Sequence, residues 1–357
     1  MQTPRPALPL SCCHLSELFE MGFKVARGTI PGTPPPLPRG RFGDPFAGAE
    51  GGSAREAAAL FQKDAAIFVP SGTMANLIAI MVHCDSRGSE MILGDKSHIH
   101  IYEQGGCSQI AAVHPRALPN LPDGTIDLSA VEDAVREPND HFPTTRLLCL
   151  ENTHNKCGGR VLTRDYMRRA AETARAHGLV LHLDGARVVN AAVALGETPA
   201  AMVEHADSAS VCLSKGLGAP IGSVLLGSAE FVRRARRARK VLGGGMRQAG
   251  CIAAAGLCAL ADGPCRLRTD HDNAKRLAAA LCEIGIDTDP TAVDSNMVMV
   301  NTGSEPATEV SRRLEERGIL VIATGPRTLR VVFHHQVSAK DTDDAIAAFR
   351  DVFCHRQ

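Results

Sequence analysis

From Ala54 onward the chain alternates short, mostly apolar runs with longer helix-compatible stretches. Ala65 to Val69, Glu90 to Leu93, Leu147 to Leu150, Leu179 to Asp184 and Ser208 to Leu213 are runs of this first kind. Short apolar runs without a polar face are expected of strands covered on both sides, as in a parallel sheet. Ala54 to Phe61, Leu77 to Val82 and Tyr166 to Ala176 are the helical stretches between them, and Gly178 supplies a C-terminal stop for the last. Such alternation predicts an α/β fold with a mainly parallel sheet and right-handed crossovers. Further on the rhythm changes. A helix through Ala274 to Leu281, strands at Met297 to Asn301, Leu320 to Ala323 and Thr328 to Phe333, and helices at Ala307 to Arg317 and Asp341 to Phe353 predict a small α+β domain. The expected division is an irregular segment 1–46, a large domain 47–258 and a small C-terminal domain 259–357. In the first segment prolines from Pro4 to Pro38 oppose any regular element beyond a short turn of helix near Leu15 to Phe23.

Composition narrows the class of function. A chain of 357 residues can bury a large core. Lys plus Arg and Asp plus Glu both number 39, so no net field points to nucleic acid or to an anionic membrane. No apolar run approaches the roughly 20 residues of a membrane span. The 12 cysteines are scattered, without a C-x-x-C pair, and read as small core residues of a reducing compartment, the cytoplasm foremost. The basic stretch Phe231 to Val241, with Arg233, Arg234, Arg236, Arg237, Arg239 and Lys240, reads as a solvated helix face or as the lining of a partner's site.

The candidate chemistry falls where strands end. Lys215 follows the run Ser208 to Leu213 and precedes Gly216, Gly218 and Pro220, so it sits where a buried strand breaks into a glycine-permissive turn. Partial desolvation there favours the free amine, a nucleophile toward a carbonyl. Asp184 closes another buried run and is followed by Gly185-Ala186-Arg187, at the strand end where open α/β sheets bind ligands. A carboxylate so placed is suited to the protonated ring nitrogen of pyridoxal phosphate; as a lone feature it is equally an N-cap. Ser71-Gly72-Thr73 forms a strand-to-helix turn whose free N–H groups and hydroxyls make a phosphate cradle. His98 follows a strand end, where stacking on a ring or proton transfer suits it better than metal ligation with His100. Arg330 interrupts the apolar strand T-L-R-V-V-F and needs a carboxylate, from a substrate or from the protein.

Six blocks, FVPSGTMANLIAI, GDKSHIHIYEQGG, LLCLENTHN, LHLDGARVVNA, CLSKGLGAPIGS and GGGMRQAG, resemble in content and order those of the L-threonine aldolases, fold-type I pyridoxal phosphate enzymes. The resemblance covers roughly Ala54 to the C-terminus. It implies a large domain like that of aspartate aminotransferase, with an imine link from Lys215 to the cofactor, Asp184 on the pyridinium nitrogen and Arg187 by the phenolic oxygen. It further implies phosphate at Ser71, Gly72 and Thr73, His98 stacked on the ring and helping in proton transfer, and Arg330 gripping the substrate carboxylate. Lys240 and Arg247 match basic residues that reach the site, some from a neighbouring subunit, so a homotetramer or homodimer is expected. The implied reaction cleaves L-threonine, and L-allo-threonine, to glycine and acetaldehyde, with a small amino acid as the binding partner and no metal, nucleic acid or membrane. Residues 1–46 carry neither the D-L-R-S-D-T-like strand nor the G-D-D-V-Y-G-like segment of the family; Gly43-Asp44-Pro45-Phe46 is nearest to the second. Two alternatives stay open: another fold-type I activity, an aminotransferase or β-eliminating lyase, and a chain that binds the cofactor with little turnover.

Overall fold

Seven strands build one sheet in the computed structural model, which describes residues 49–354; the segment 1–46 and its expected helical turn lie outside the described residues. The strands are β1 (Ala65–Val69), β2 (Ser89–Gly94), β3 (His114–Leu118), β4 (Thr144–Glu151), β5 (Val180–Asp184), β6 (Ser208–Cys212) and β7 (Ser223–Gly227), in the order β1-β7-β6-β5-β4-β2-β3. Strands β3, β2, β4, β5 and β6 are mutually parallel, and β7 runs antiparallel to both its neighbours. All residues of β2, β6 and β7 are buried, which is why these runs show no alternation. Helices Gly72–His83, Arg164–Ala176 and Ala229–Val241 pack on the sheet faces with their apolar stripes inward.

A second sheet holds β8 (Met297–Asn301), β9 (Ile322–Gly325) and β10 (Thr328–Val332) in the antiparallel order β8-β10-β9. Its core joins Val298, Val300 and Leu329 to Phe349 of the helix Ala339–Cys354. The helix expected at Ala274 to Leu281 is the last part of a 34-residue helix, Gly250–Glu283, which runs through the expected 258/259 boundary. Its first part is small and apolar on nearly every side, so no 3.6-residue period announces it, and Pro264 inside it reads as a breaker. By length and composition alone this helix matches a membrane span. Its buried side chains are shared between the two cores: Leu260 and Leu267 belong to that of the large sheet, Leu277 and Leu281 to that of the small one.

Candidate active site

The carboxyl ends of β2, β4, β5 and β6 open into one basin, because Glu151 pairs with Asp184 and Asp184 with Ser210 across parallel strands. Asp184 is 3% exposed at its floor. Its Oδ2 accepts from Asn76 Nδ2 at 2.9 Å and its Oδ1 from the Ala186 amide at 3.1 Å, with Ser210 Oγ 3.4 Å from Oδ1. These donors compensate the burial of a carboxylate and fix its orientation.

Lys215 lies three residues beyond the end of β6, half-buried. Its turn is clamped by two glycines. A Cβ on Gly216 would sit 2.7 Å from Leu267 Cδ2, and one on Gly263 of the long helix 2.9 Å from Leu217 Cα. Backbone and side chain therefore meet at distances that favour glycine, and the turn that carries the lysine is packed closely against the long helix. Ser71 is the N-cap of the helix Gly72–His83, its Oγ accepting from the Met74 amide at 3.2 Å, with Ser71 and Thr73 exposed at the helix start. Gly72 is required here for packing as well as for any ligand, since its Cβ would lie 2.8 Å from Cys212 Sγ at the end of β6.

His98 enters from the β2 end. Its amide donates to Glu151 Oε2 at 2.7 Å, and its Nδ1 lies 2.8 Å from Glu103 Oε1. The Glu103 hydrogen bond, against the opposing effect of burial, raises the His98 pKa. Burial raises those of Glu103 and Glu151, and the Asp184 charge raises both further. Glu151 accepts the Asn155 amide at 2.8 Å, and Asn155 Oδ1 accepts from Arg330 Nη1 at 2.6 Å. Thus β10 of the small sheet delivers Arg330 to the same basin, where its side-chain partner is a carboxamide and its Nε is buried without a hydrogen bond. Arg187, at the start of the helix Val188–Leu195, feels the charges of Glu151, Arg330 and Asp184, and burial draws its guanidinium below the ordinary value.

Of the expected residues, Lys215, Asp184, Arg187, Ser71, Gly72, Thr73, His98 and Arg330 lie on the strand ends, helix starts and neighbouring sheet that surround this basin. Lys240 and Arg247 are exposed, at the end of one helix and on the following loop, and neither has a hydrogen bond or ion pair with the basin residues. His100 is exposed. The donor atoms of His98, Glu103 and Asp184 lie within 4.8 Å of one another, but hydrogen bonds to one another and to Asn76 occupy them. Sequence reasoning passed over Asn76, Glu103, Glu151 and His154. His154 is 1% exposed with neither ring nitrogen hydrogen-bonded, and burial lowers its pKa to about 4. Asn76 sits inside an apolar helix and His154 in a loop, so the only signal was polar residues at positions that should be buried.

Comparison with known proteins agrees with this architecture. Residues 53–303 match the family described as beta-eliminating lyase. The chain is 49% identical over 308 residues to the low-specificity L-threonine aldolase 1 of Arabidopsis thaliana, spanning 85% of this chain and 86% of that one. Among solved structures it resembles the threonine aldolase of Leishmania major (TM-score 0.71, 21% identity, 84% of this chain and 88% of that one) and SPT with PLP (TM-score 0.68, 19% identity, 85% and 76%). The last two similarities establish the shared fold, that of the fold-type I enzymes.

Proposed function

The chain belongs to the beta-eliminating lyase family, among relatives that are low-specificity L-threonine aldolases, and on that premise we propose that it cleaves L-threonine and L-allo-threonine to glycine and acetaldehyde with pyridoxal 5'-phosphate as cofactor. The residues present fit that group. A half-buried lysine amine, a buried carboxylate and the free N–H groups of a helix start offer an aldehyde, a ring nitrogen and a phosphate their respective partners. The observation that carries the reading is their arrangement at neighbouring strand and helix ends beside an arginine that has no carboxylate of its own.

When bound, the cofactor supplies an aldehyde for amine exchange and an electron-withdrawing ring that accepts the electron pair left at Cα. Lys215 would hold the cofactor's aldehyde through its amine. Asp184, its carboxylate oriented by Asn76 and the Ala186 amide, would hold the ring nitrogen, and Arg187 would partner the phenolic oxygen. Arg330 and Arg187 together favour a substrate carboxylate, and the guanidinium fork of Arg330 fixes its orientation. The hydroxyl proton moves to a base at His98, where Glu103 occupies Nδ1 and leaves Nε2 for the transfer. The Cα–Cβ bond then breaks, acetaldehyde departs, and a proton delivered to Cα gives glycine. Neutral, buried His154 adds hydrogen-bonding capacity on the Glu151 side of the basin. We assign the working form to a homo-oligomer, tetramer or dimer, in the cytoplasm, whose subunit contacts bring Lys240 and Arg247 to a site; exposed Val241 and Ile221 beside these elements support this. Residues 47–258 and 259–357 we read as the large and small domains, with the long helix as their shared member.

The test is acetaldehyde release from L-threonine by the purified chain loaded with pyridoxal phosphate, with Lys215→Ala as the blank. Release that vanishes in the variant is expected. Ammonia or a keto acid in place of acetaldehyde would move the assignment to elimination or transamination.

A further inference from the structure

Asn76 is 1% exposed in the helix Gly72–His83, and all four of its hydrogen-bonding positions are used. Its Nδ2 donates to Asp184 Oδ2 and to Glu103 Oε1, each at 2.9 Å. Its Oδ1 accepts from Ser210 Oγ at 2.8 Å and faces His182 Nε2 at 3.2 Å. Reversing the amide would turn its oxygen toward two carboxylates, so its orientation is fixed by its neighbours. That orientation sets the tautomers beyond it. His182 must carry its proton on Nε2 to donate to Asn76, so its Nδ1 accepts from Ser208 Oγ at 2.8 Å. The same hydroxyl then accepts from His83 Nε2, also at 2.8 Å. Burial holds both imidazoles neutral, with pKa values of about 4 for His182 and about 3 for His83. A directional chain thus runs from half-buried His83, whose ring stacks on Phe231 at 4.7 Å, through the sheet to the basin floor.

We propose that Asn76 is a positioning residue which, oriented by the His83–Ser208–His182 chain and by Ser210, joins Asp184 to the Glu103–His98 pair and thereby holds the groups beneath and beside the cofactor ring as one unit. Two buried carboxylates with donor atoms within 4.8 Å of His98 and of each other repel, and Asn76 separates them while donating to both. Without the amide neither carboxylate would keep the donor that separates it from the other, and Asp184 would lose its aim. The inference rests on the reading of Asp184 as partner of the ring nitrogen.

Shape and donation are separable, because aspartate matches asparagine in volume and lacks the N–H₂ group. The experiment measures pyridoxal phosphate affinity of the apo chain at pH 8 and the visible circular dichroism of the bound cofactor in Asn76→Ala, Asn76→Asp and Asp184→Asn. Affinity falling about tenfold or more in Asn76→Ala, further in Asn76→Asp, with weakened dichroism in both, is expected. An Asn76→Asp variant that binds as well as the parent, or an Asn76→Ala variant with unchanged affinity and dichroism, overturns the proposal. If neither folds, Ser208→Ala decides: it cuts the chain two residues from Asp184, and unchanged dichroism there overturns the proposal. Asp184→Asn separates the two readings. Unchanged binding in that variant removes the reading of Asp184 as partner of the ring nitrogen, whereas weakened binding there with an unaffected Asn76→Ala removes only the role of Asn76.

Discussion

Arg330 is the residue at which sequence and structure meet most directly. An arginine within an apolar strand demanded an acceptor, and the acceptor found is the Asn155 carboxamide, with Nε left for another. If its fork holds the substrate carboxylate, Arg330→Ala should raise KM about ten- to hundredfold, the range of one charge-assisted hydrogen-bonded pair, with a smaller loss in kcat. Arg330→Lys should recover little of it, because an ammonium cannot reproduce the bidentate geometry. Steady-state kinetics on threonine would show this, and a loss confined to kcat would contradict it. His98 carries a pH signature. Its pKa in the fold is raised above the ordinary 6.5 by Glu103, so its contribution to stability is complete below about pH 6.5 and lost as pH rises through the raised value. Glu103→Gln should lower the His98 titration midpoint in a proton resonance experiment and flatten stability across that window. An unmoved midpoint would detach Glu103 from His98.

Among the elements, the helix starting at Gly72 approaches the end of β6 closely at its first residue. A methyl at Gly72 would meet Cys212 Sγ at 2.8 Å, and such overpacking costs about 1–3 kcal/mol. The gain in helix propensity from Gly to Ala is at most about 1 kcal/mol and less at a helix start, so the steric cost decides the sign. Gly72→Ala should therefore destabilise the chain in urea, and Cys212→Ala should relieve the clash, giving a coupling of about 1 kcal/mol or more between the two. Additive effects would mean that the helix start tolerates the methyl by shifting. The strands β3 and β7 escaped sequence reading for opposite reasons. β3 contains Pro115 and has no buried residue, whereas β7 follows the lysine turn so closely that its apolar run merged with that loop. The long helix escaped because a helix apolar on most sides has no period.

At the scale of the whole molecule, the helix Gly250–Glu283 lends side chains to both cores, and Arg330 crosses from the small sheet to the basin of the large one. Leu277 is fully buried in the second core, and Leu277→Ala should cost about 2–5 kcal/mol. Because the helix is shared, far-UV dichroism and cofactor absorption should still report one coincident unfolding transition in that variant. Two separated transitions would show that the cores unfold independently.

The sequence by itself determined the class of the fold and marked the candidate residues of the site. Short, uniformly apolar runs bounded by turn residues are expected of strands covered on both faces, and Lys215, Asp184 and the Ser71–Thr73 turn stand at chain positions where such runs end. Order and spacing along one strand are local properties, and side-chain period reports them. What only the tertiary structure decided was which polar residues face one another. Asn76, Glu103, His182 and Ser208 are drawn from one helix, one loop and two strands, and each alone is an ordinary polar residue of its element. Hydrogen bonds of this kind depend on strand order and on the depth at which helices pack, and neither leaves a periodic trace in the chain. The same holds for Arg330, whose need for a partner is written in its strand, while the identity of that partner follows from a sheet folded against another.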